Sequence, residues 1–174
     1  MAVSSAKILV LADGDCACVK ILGRADFTHG PDLKALLAGL AEKGYDRFII
    51  DLSECALMDS TLLGILAGFG LKAARTGAPD RHIVELLNPN TRIADLLENL
   101  GALQLFKVTN STPVMPESAQ AQSPVSTNPT REQITRTCLE AHESLMSMNP
   151  DNVARFKDVT RFLAEDLKNL EKRP

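Results

Sequence analysis

Residues 51–64, DLSECALMDSTLLG, join a compact β-prone run to the most apolar helical run of the chain. The strand signal begins just upstream, at residues 47–53, where RFIIDLS is rich in branched residues. From residue 61 to residue 75 the chain is apolar on nearly every face, which predicts the most buried helix of the chain. A strand that leads into a buried helix is typical of partly parallel sheets, so this stretch favours an α/β fold.

Strand and helix signals alternate on both sides of this stretch. Upstream, Asp13-Gly14 predicts a hairpin turn between two antiparallel strands. The elements are predicted at residues 7–10 and 16–22 (strands), 31–44 (helix), 82–87 (strand), 90–101 (helix capped by Asn90) and 105–108 (strand). The order β-β-α-β-α-β-α-β, with right-handed helical crossovers, predicts a mixed sheet of four to five strands packed against helices.

The composition changes sharply at residues 110–130, NSTPVMPESAQAQSPVSTNPT. This stretch holds four of the nine prolines and a single charge, which predicts a flexible linker. Residues 131–174 carry two amphipathic helical stripes joined at Asn149-Pro150, which predict a helical hairpin. Because 44 residues are too few to bury both stripes, the hairpin should dock on the domain at residues 1–109, form a homodimer or bind a partner.

The overall composition excludes several classes of protein. The 174 residues carry 19 basic and 22 acidic side chains, so there is no cationic excess to bind nucleic acid or anionic lipid. No apolar run is long enough for membrane insertion, and the first residues lack a signal-peptide pattern. Four cysteines without CxxC spacing are typical of reduced packing residues. We therefore predict a cytoplasmic protein.

Motifs for catalysis, metals or cofactors are weak. GFGLKA at residues 68–73 superficially fits a dinucleotide fingerprint, but its glycines lie inside a predicted helix, where Gly68 and Gly70 would let a neighbouring backbone approach. His29, His82 and His142 lie on separate elements without ligand spacing, which favours surface or capping roles. We predict no catalytic residue, no metal and no cofactor.

Three short polar residues stand where the buried helix begins: Asp59, Ser60 and Thr61. Such residues are good N-caps, because their oxygens accept hydrogen bonds from otherwise unpaired backbone N–H groups. The same free N–H groups and the helix dipole also favour a phosphate on a hydroxyl at this position. The residues alone leave both roles open.

The run DLSECALMDSTLLG, with GRADF at residues 23–27, resembles the STAS domain of bacterial anti-sigma factor antagonists over residues 2–108. In that family Met-Asp-Ser is followed by a Ser or Thr that a partner anti-sigma factor kinase phosphorylates. The resemblance implies Thr61 as the acceptor, with Ser60 as the fallback and Asp59 as the adjacent acidic residue. It also implies a partner-binding surface made of Arg24, Asp26, Asp59, Ser60, Thr61 and Leu62.

The resemblance further implies a mechanism of partner switching. The unphosphorylated antagonist binds its anti-sigma factor, which is also a serine/threonine kinase; phosphorylation breaks the complex, and a metal-dependent phosphatase restores it. STAS domains also serve other roles, so fold alone does not fix the partner. Two alternatives remain: a scaffold in which Asp59, Ser60 and Thr61 only cap a helix, and a module that binds a small ligand or nucleotide at the same helix N-terminus.

Overall fold

The computed structural model describes residues 6–76, 84–112 and 126–173. Within these ranges the chain forms six strands and five helices. The strands are β1 (Lys7–Asp13), β2 (Cys16–Ala25), β3 (Arg47–Asp51), β4 (Cys55–Met58), β5 (Val84–Leu87) and β6 (Lys107–Thr109). The helices are α1 (Gly30–Glu42), α2 (Ser60–Thr76), α3 (Thr91–Asn99), α4 (Arg131–Met148) and α5 (Asp151–Glu171), and a 3-10 turn spans Phe27–His29.

The sheet is mixed, as predicted. Its strand order is β1-β2-β3-β5-β6, and only the β1–β2 pair is antiparallel among the described strands. Their hairpin turns at Gly14, whose φ of 58° is a backbone conformation that glycine adopts readily. Strand β4 was not predicted; it pairs in parallel with the end of β2, and the register shifts between Gly23 and Arg24. This pairing brings the end of β2 beside the start of α2.

The loop between β3 and β4 is held by buried or capping polar side chains. Asp51 is buried, and its Oδ1 accepts hydrogen bonds from the backbone N–H and the hydroxyl of Ser53. Asn90 caps α3 through the N–H of Ile93, as predicted, and its side-chain amide also donates to the carbonyls of Cys55 and Ala56. These hydrogen bonds fix the loop that leads into β4. Because α2 begins two residues after β4 ends, they also help to position the first turn of α2.

Helix α2 lies at the centre of the protein, and α1 and α4 both pack against it. Every residue from Thr61 to Ala67 is buried, as expected of the most buried helix, whereas Lys72, Ala74 and Arg75 near its end are exposed. Its leucines share one hydrophobic core with the inward residues of β2 and β3 and with Leu33 and Leu37 of α1. The position of α2 explains why its sequence shows little amphipathic contrast.

The C-terminal hairpin docks on the domain, the first of the three outcomes expected for it. Helix α4 begins with the capping box formed by Thr130 and Gln133, packs along α2, and is covered in turn by α5. Ala141 and Leu145 belong to the same core cluster as the sheet and α2. The apolar stripe of α4 is therefore buried within this chain.

Other predicted features lie partly outside the described residues. These are residues 82 and 83 of the fourth predicted strand and residues 113–125 of the predicted linker. At the end of that predicted linker, Ser126 and Thr127 donate hydrogen bonds to Asp32 of α1. The last strand begins two residues later than predicted, because Leu105 and Phe106 pack on the core from a turn. The cysteines are all free, as predicted.

Candidate functional site

Asp59 fixes the N-terminus of α2. Its Oδ1 accepts a hydrogen bond from the N–H of Leu62 at 3.0 Å, and its Oδ2 accepts one from the N–H of Phe27 at 2.7 Å. Burial raises the pKa of this carboxyl, although hydrogen bonds from the backbone N–H groups of Leu62, Phe27 and Thr61 act in the opposite direction. The capping role of Asp59 is thus confirmed, and the same side chain ties α2 to the turn after β2.

That turn carries the second predicted acidic residue, Asp26. Its carboxylate accepts from both the N–H and the hydroxyl of Thr28, and it lies 3.2 Å from Nδ1 of His29. Burial acts to raise the pKa of Asp26, but the hydrogen bonds from Thr28 and the charge of His29 outweigh it and lower the pKa. Exposed Arg24 and half-exposed Phe27 flank Asp26. The structure therefore brings the predicted Arg24 and Asp26 together with Asp59.

The two candidate hydroxyls lie in the first turn of α2 and face α4. The hydroxyl of Thr61 donates to the Sγ of Cys138 at 3.7 Å, and the Thr61 residue is only 4% exposed. The Oγ of Ser60 lies 3.1 Å from Nε2 of His142, and Ser60 is half-buried. Leu62 is 0% exposed, so its side chain lies in the core instead of on the partner-binding surface predicted for it.

Two site residues were missed at the sequence level, Cys138 and His142 of α4. His142 is buried, which corrects its predicted surface or capping role. Its Nδ1 lies 2.7 Å from the carbonyl oxygen of Cys138; because a carbonyl only accepts, Nδ1 donates, and in the neutral ring Nε2 accepts from Ser60. The pKa of the Cys138 thiol is raised, chiefly by burial and further by the charge of Asp59. The sequence signal for these two residues was their spacing of four, which places both on one face of a helix next to its apolar stripe.

Small residues let α2 and α4 approach closely. A Cβ built on Gly64 would lie 2.4 Å from the carbonyl oxygen of Ala141, and one built on Gly68 would lie 2.8 Å from the Oγ of Ser144. A neighbouring backbone was predicted at Gly68 and Gly70, but it comes close at Gly64 instead, and Gly68 faces a side chain. Gly70 instead faces the side chains of Leu105 and Phe106. The contact between α2 and α4 therefore depends on glycine at positions 64 and 68 and on the present register of the two helices.

A cavity of about 230 Å³ remains where α1, α2 and α4 meet. Its lining is largely apolar, with Ile65 and Phe69 of α2 on one side and Thr137 of α4 on the other. Lys34 of α1 and Glu140 of α4 form an exposed ion pair at its edge. In the described ranges no group of three or more histidine, cysteine or acidic side chains is arranged to hold a metal ion. Nor is any described helix long and apolar enough to cross a bilayer.

The comparisons with known proteins concern the first two thirds of the chain. The profile of the STAS domain matches residues 7–115. A solved structure, the Bacillus cell fate determinant SpoIIAA in its phosphorylated form, is similar with a TM-score of 0.47 and 16% identity, over 60% of this chain and 91% of that chain. No curated protein matches the sequence. On the match over residues 7–115, which spans the sheet and α1 to α3, the chain belongs to the STAS domain family.

Proposed function

We propose that this protein is a cytoplasmic, non-enzymatic partner switch: an anti-sigma factor antagonist controlled by phosphorylation in the first turn of α2. The observation that carries the proposal is the placement of two hydroxyls, Ser60 and Thr61, directly after the capping Asp59 of a STAS domain. Arg24 lies at the end of β2, paired with Leu57 of β4, and Asp26 begins the following turn, in which Phe27 donates its N–H to Asp59. We expect Arg24, Asp26 and Ser60 to form the accessible part of the partner surface, because Thr61 is only 4% exposed and lies against α4.

In the proposed cycle, the unphosphorylated protein binds an anti-sigma factor that is also a serine/threonine kinase. The Oγ1 of Thr61, with Ser60 as the fallback, bonds to the γ-phosphorus of the kinase's ATP; the bridging P–O bond breaks, ADP leaves, and the hydroxyl proton passes to the kinase's base. A metal-dependent phosphatase then hydrolyses the phosphate ester with water. The antagonist supplies only the acceptor hydroxyl, so it needs no cofactor of its own.

Electrostatics explain how such a phosphate would release the partner. A phosphate adds about −1.5 to −2 charges at neutral pH, close to the carboxylate of Asp59. Where the phosphate is exposed to water, the helix dipole and the solvent stabilise this charge, whereas a docked partner would have to desolvate it. We therefore expect phosphorylation to weaken partner binding much more than it weakens the domain itself.

Titration calorimetry with the cognate anti-sigma factor tests this mechanism. Thr61→Ala should keep the affinity of the wild type, and Thr61→Glu should lose at least about 1.4 kcal/mol, or tenfold. Ser60→Ala and Ser60→Glu form the matched pair for the fallback acceptor. Equal affinities for all four variants would refute a switch at this turn, and a loss confined to Ser60→Glu would place the acceptor at Ser60.

A constitutive scaffold is the second candidate, and α5 provides the observation in its favour. Val159 and Phe162 of α5 are exposed apolar side chains, which suit a protein partner or a homodimer formed through the hairpin. Mass spectrometry of the intact protein from its native host separates the two functions, because a scaffold carries no phosphate. The cavity between α1, α2 and α4 gives a small-ligand role its only support in the described residues, and calorimetry with nucleotides tests that role.

A further inference from the structure

We infer that the C-terminal hairpin is a built-in cover of the phosphoacceptor, so that α4 must leave α2 before a kinase or partner can reach Thr61 and Ser60. The inference rests on the proposed function, which identifies the molecule that must reach these hydroxyls as an anti-sigma factor kinase. The cover itself is defined by α4 and its contacts with α2. Helix α4 lies outside the matched residues 7–115, so the cover belongs to this chain's own C-terminal segment.

The first argument is the burial of the acceptor. Phosphoryl transfer requires an acceptor oxygen that can align with the γ-phosphorus of ATP. The hydroxyl of Thr61 instead donates a hydrogen bond to the Sγ of Cys138, and the Oγ of Ser60 is hydrogen-bonded to His142. Both α4 residues are themselves buried. A kinase active site therefore cannot surround either hydroxyl while α4 stays in place.

The second argument is the fit between the two helices. Glycine at position 64 admits the backbone of α4 at Ala141, and glycine at position 68 admits Ser144 one turn further along. Any larger residue at Gly64 would overlap a backbone carbonyl, which cannot move without moving α4. The two contacts are one turn apart on each helix, so they fix the register that places Cys138 over Thr61.

The third argument is that the cover is held at its margins by exposed contacts. Lys34 pairs with Glu140, and Asp32 accepts hydrogen bonds from Ser126 and Thr127, all of them at the surface. Exposed ion pairs of this kind contribute little to stability. The covalent tether between β6 and α4, residues 110–130, comprises 21 residues and can extend to roughly 70 Å. A hairpin that leaves α2 thus remains attached to the domain, and its departure exposes Ala141 and Leu145, which are buried in the shared core.

Docking and phosphorylation exclude each other in this arrangement. A phosphate on Thr61 would occupy the space of Cys138 and would be buried near Asp59 without a positive partner in the described first turn of α2. By thermodynamic linkage, a docked hairpin must then oppose phosphorylation as strongly as phosphate opposes docking. The hairpin therefore sets the threshold of the switch.

Alkylation of Cys138 in the full chain reports undocking without any partner. The test variant is Ala141→Leu, which inserts a larger side chain against Gly64; the matched control, Ala154→Leu, makes the same change on the exposed side of α5. Gly64→Ala adds a side chain at the same contact from the opposite helix, and we call Ala141→Leu and Gly64→Ala the wedge variants. Iodoacetamide should modify Cys138 at least tenfold faster in both wedge variants than in the wild type or the control. Buried Cys55 should stay slow in all four proteins if the domain is folded.

The phosphate content of the same proteins, isolated from the native host, completes the test. We expect the fraction phosphorylated at residues 60 and 61 to be several-fold higher in the wedge variants than in the wild type and in Ala154→Leu. Rapid alkylation of Cys138 in the wild type would overturn the cover and leave the proposed function standing. Faster alkylation with an unchanged phosphate fraction would overturn it as well. No phosphate in any of the proteins would refute the proposed function, and the cover with it.

Discussion

Replacing Gly64 with alanine has two opposite effects on stability: it favours the helical conformation of α2, and it creates a steric overlap with α4. Within a helix alanine is favoured over glycine by about 1 kcal/mol, so the substitution should stabilise α2 considered alone. In the folded protein, however, the new Cβ would lie 2.4 Å from the carbonyl oxygen of Ala141 and 2.9 Å from its Cβ. Ordinary contacts between carbon atoms lie at about 3.5–4.0 Å, so α4 must shift along its whole contact with α2.

The overlap should outweigh the gain in helix propensity. Overpacking of a close contact costs about 1–3 kcal/mol, and part of the helical gain is subtracted from it. We expect Gly64→Ala to lower the free energy of unfolding by about 1–2 kcal/mol. Gly39→Ala in α1 is the matched control, because a Cβ built on Gly39 would have no neighbouring heavy atom within 4 Å outside its own helix backbone. That variant should raise the free energy of unfolding by about 0.5–1 kcal/mol.

Urea denaturation, followed by circular dichroism on both variants and the wild type, measures the two changes. A displaced midpoint with an unchanged slope reports stability, whereas a lower slope for Gly64→Ala would show that part of the surface is already exposed in its native state. A Gly64→Ala protein as stable as Gly39→Ala would refute the reasoning, since it would mean that α4 does not rest on Gly64.

Three further predictions follow from the core and the cap. Gly70→Val should lower the free energy of unfolding by about 1–3 kcal/mol, because alanine alone would already contact Leu105; a neutral thermal melt would contradict the burial of this face. A fragment of residues 1–111 should melt cooperatively but at lower stability, since it loses buried Leu145; aggregation of this fragment would mean that hairpin and domain share one obligatory core. The pKa of Asp59 is raised above 3.8 by burial, so its charged form is disfavoured in the native state. Relative to Asp59→Asn, the wild type should therefore lose stability as the pH rises from 3.8 through the native pKa, and an increase in urea titrations would have the wrong sign.

The sequence alone determined the local structure of this protein. Hydrophobic periodicity and capping chemistry act over three or four residues, so the cap at Asn90, the helix that follows it and the two amphipathic helices of the hairpin could be predicted. The same holds for the cap of α2 by Asp59, where a short polar side chain meets unpaired N–H groups. Strand β4 escaped prediction because its four residues, Cys55–Met58, form a strand only through their pairing with β2.

The tertiary structure alone decided what the candidate acceptor meets. Thr61 and Cys138 are 77 residues apart in sequence, and Ser60 and His142 are 82 residues apart. An apolar stripe predicts that α4 will be buried, but it does not name the helix that buries it. The sequence predicted a close backbone at Gly68 and Gly70, whereas the folded chain places the backbone of α4 against Gly64. Contacts of this kind depend on shape complementarity between distant segments, which no local pattern of residues encodes.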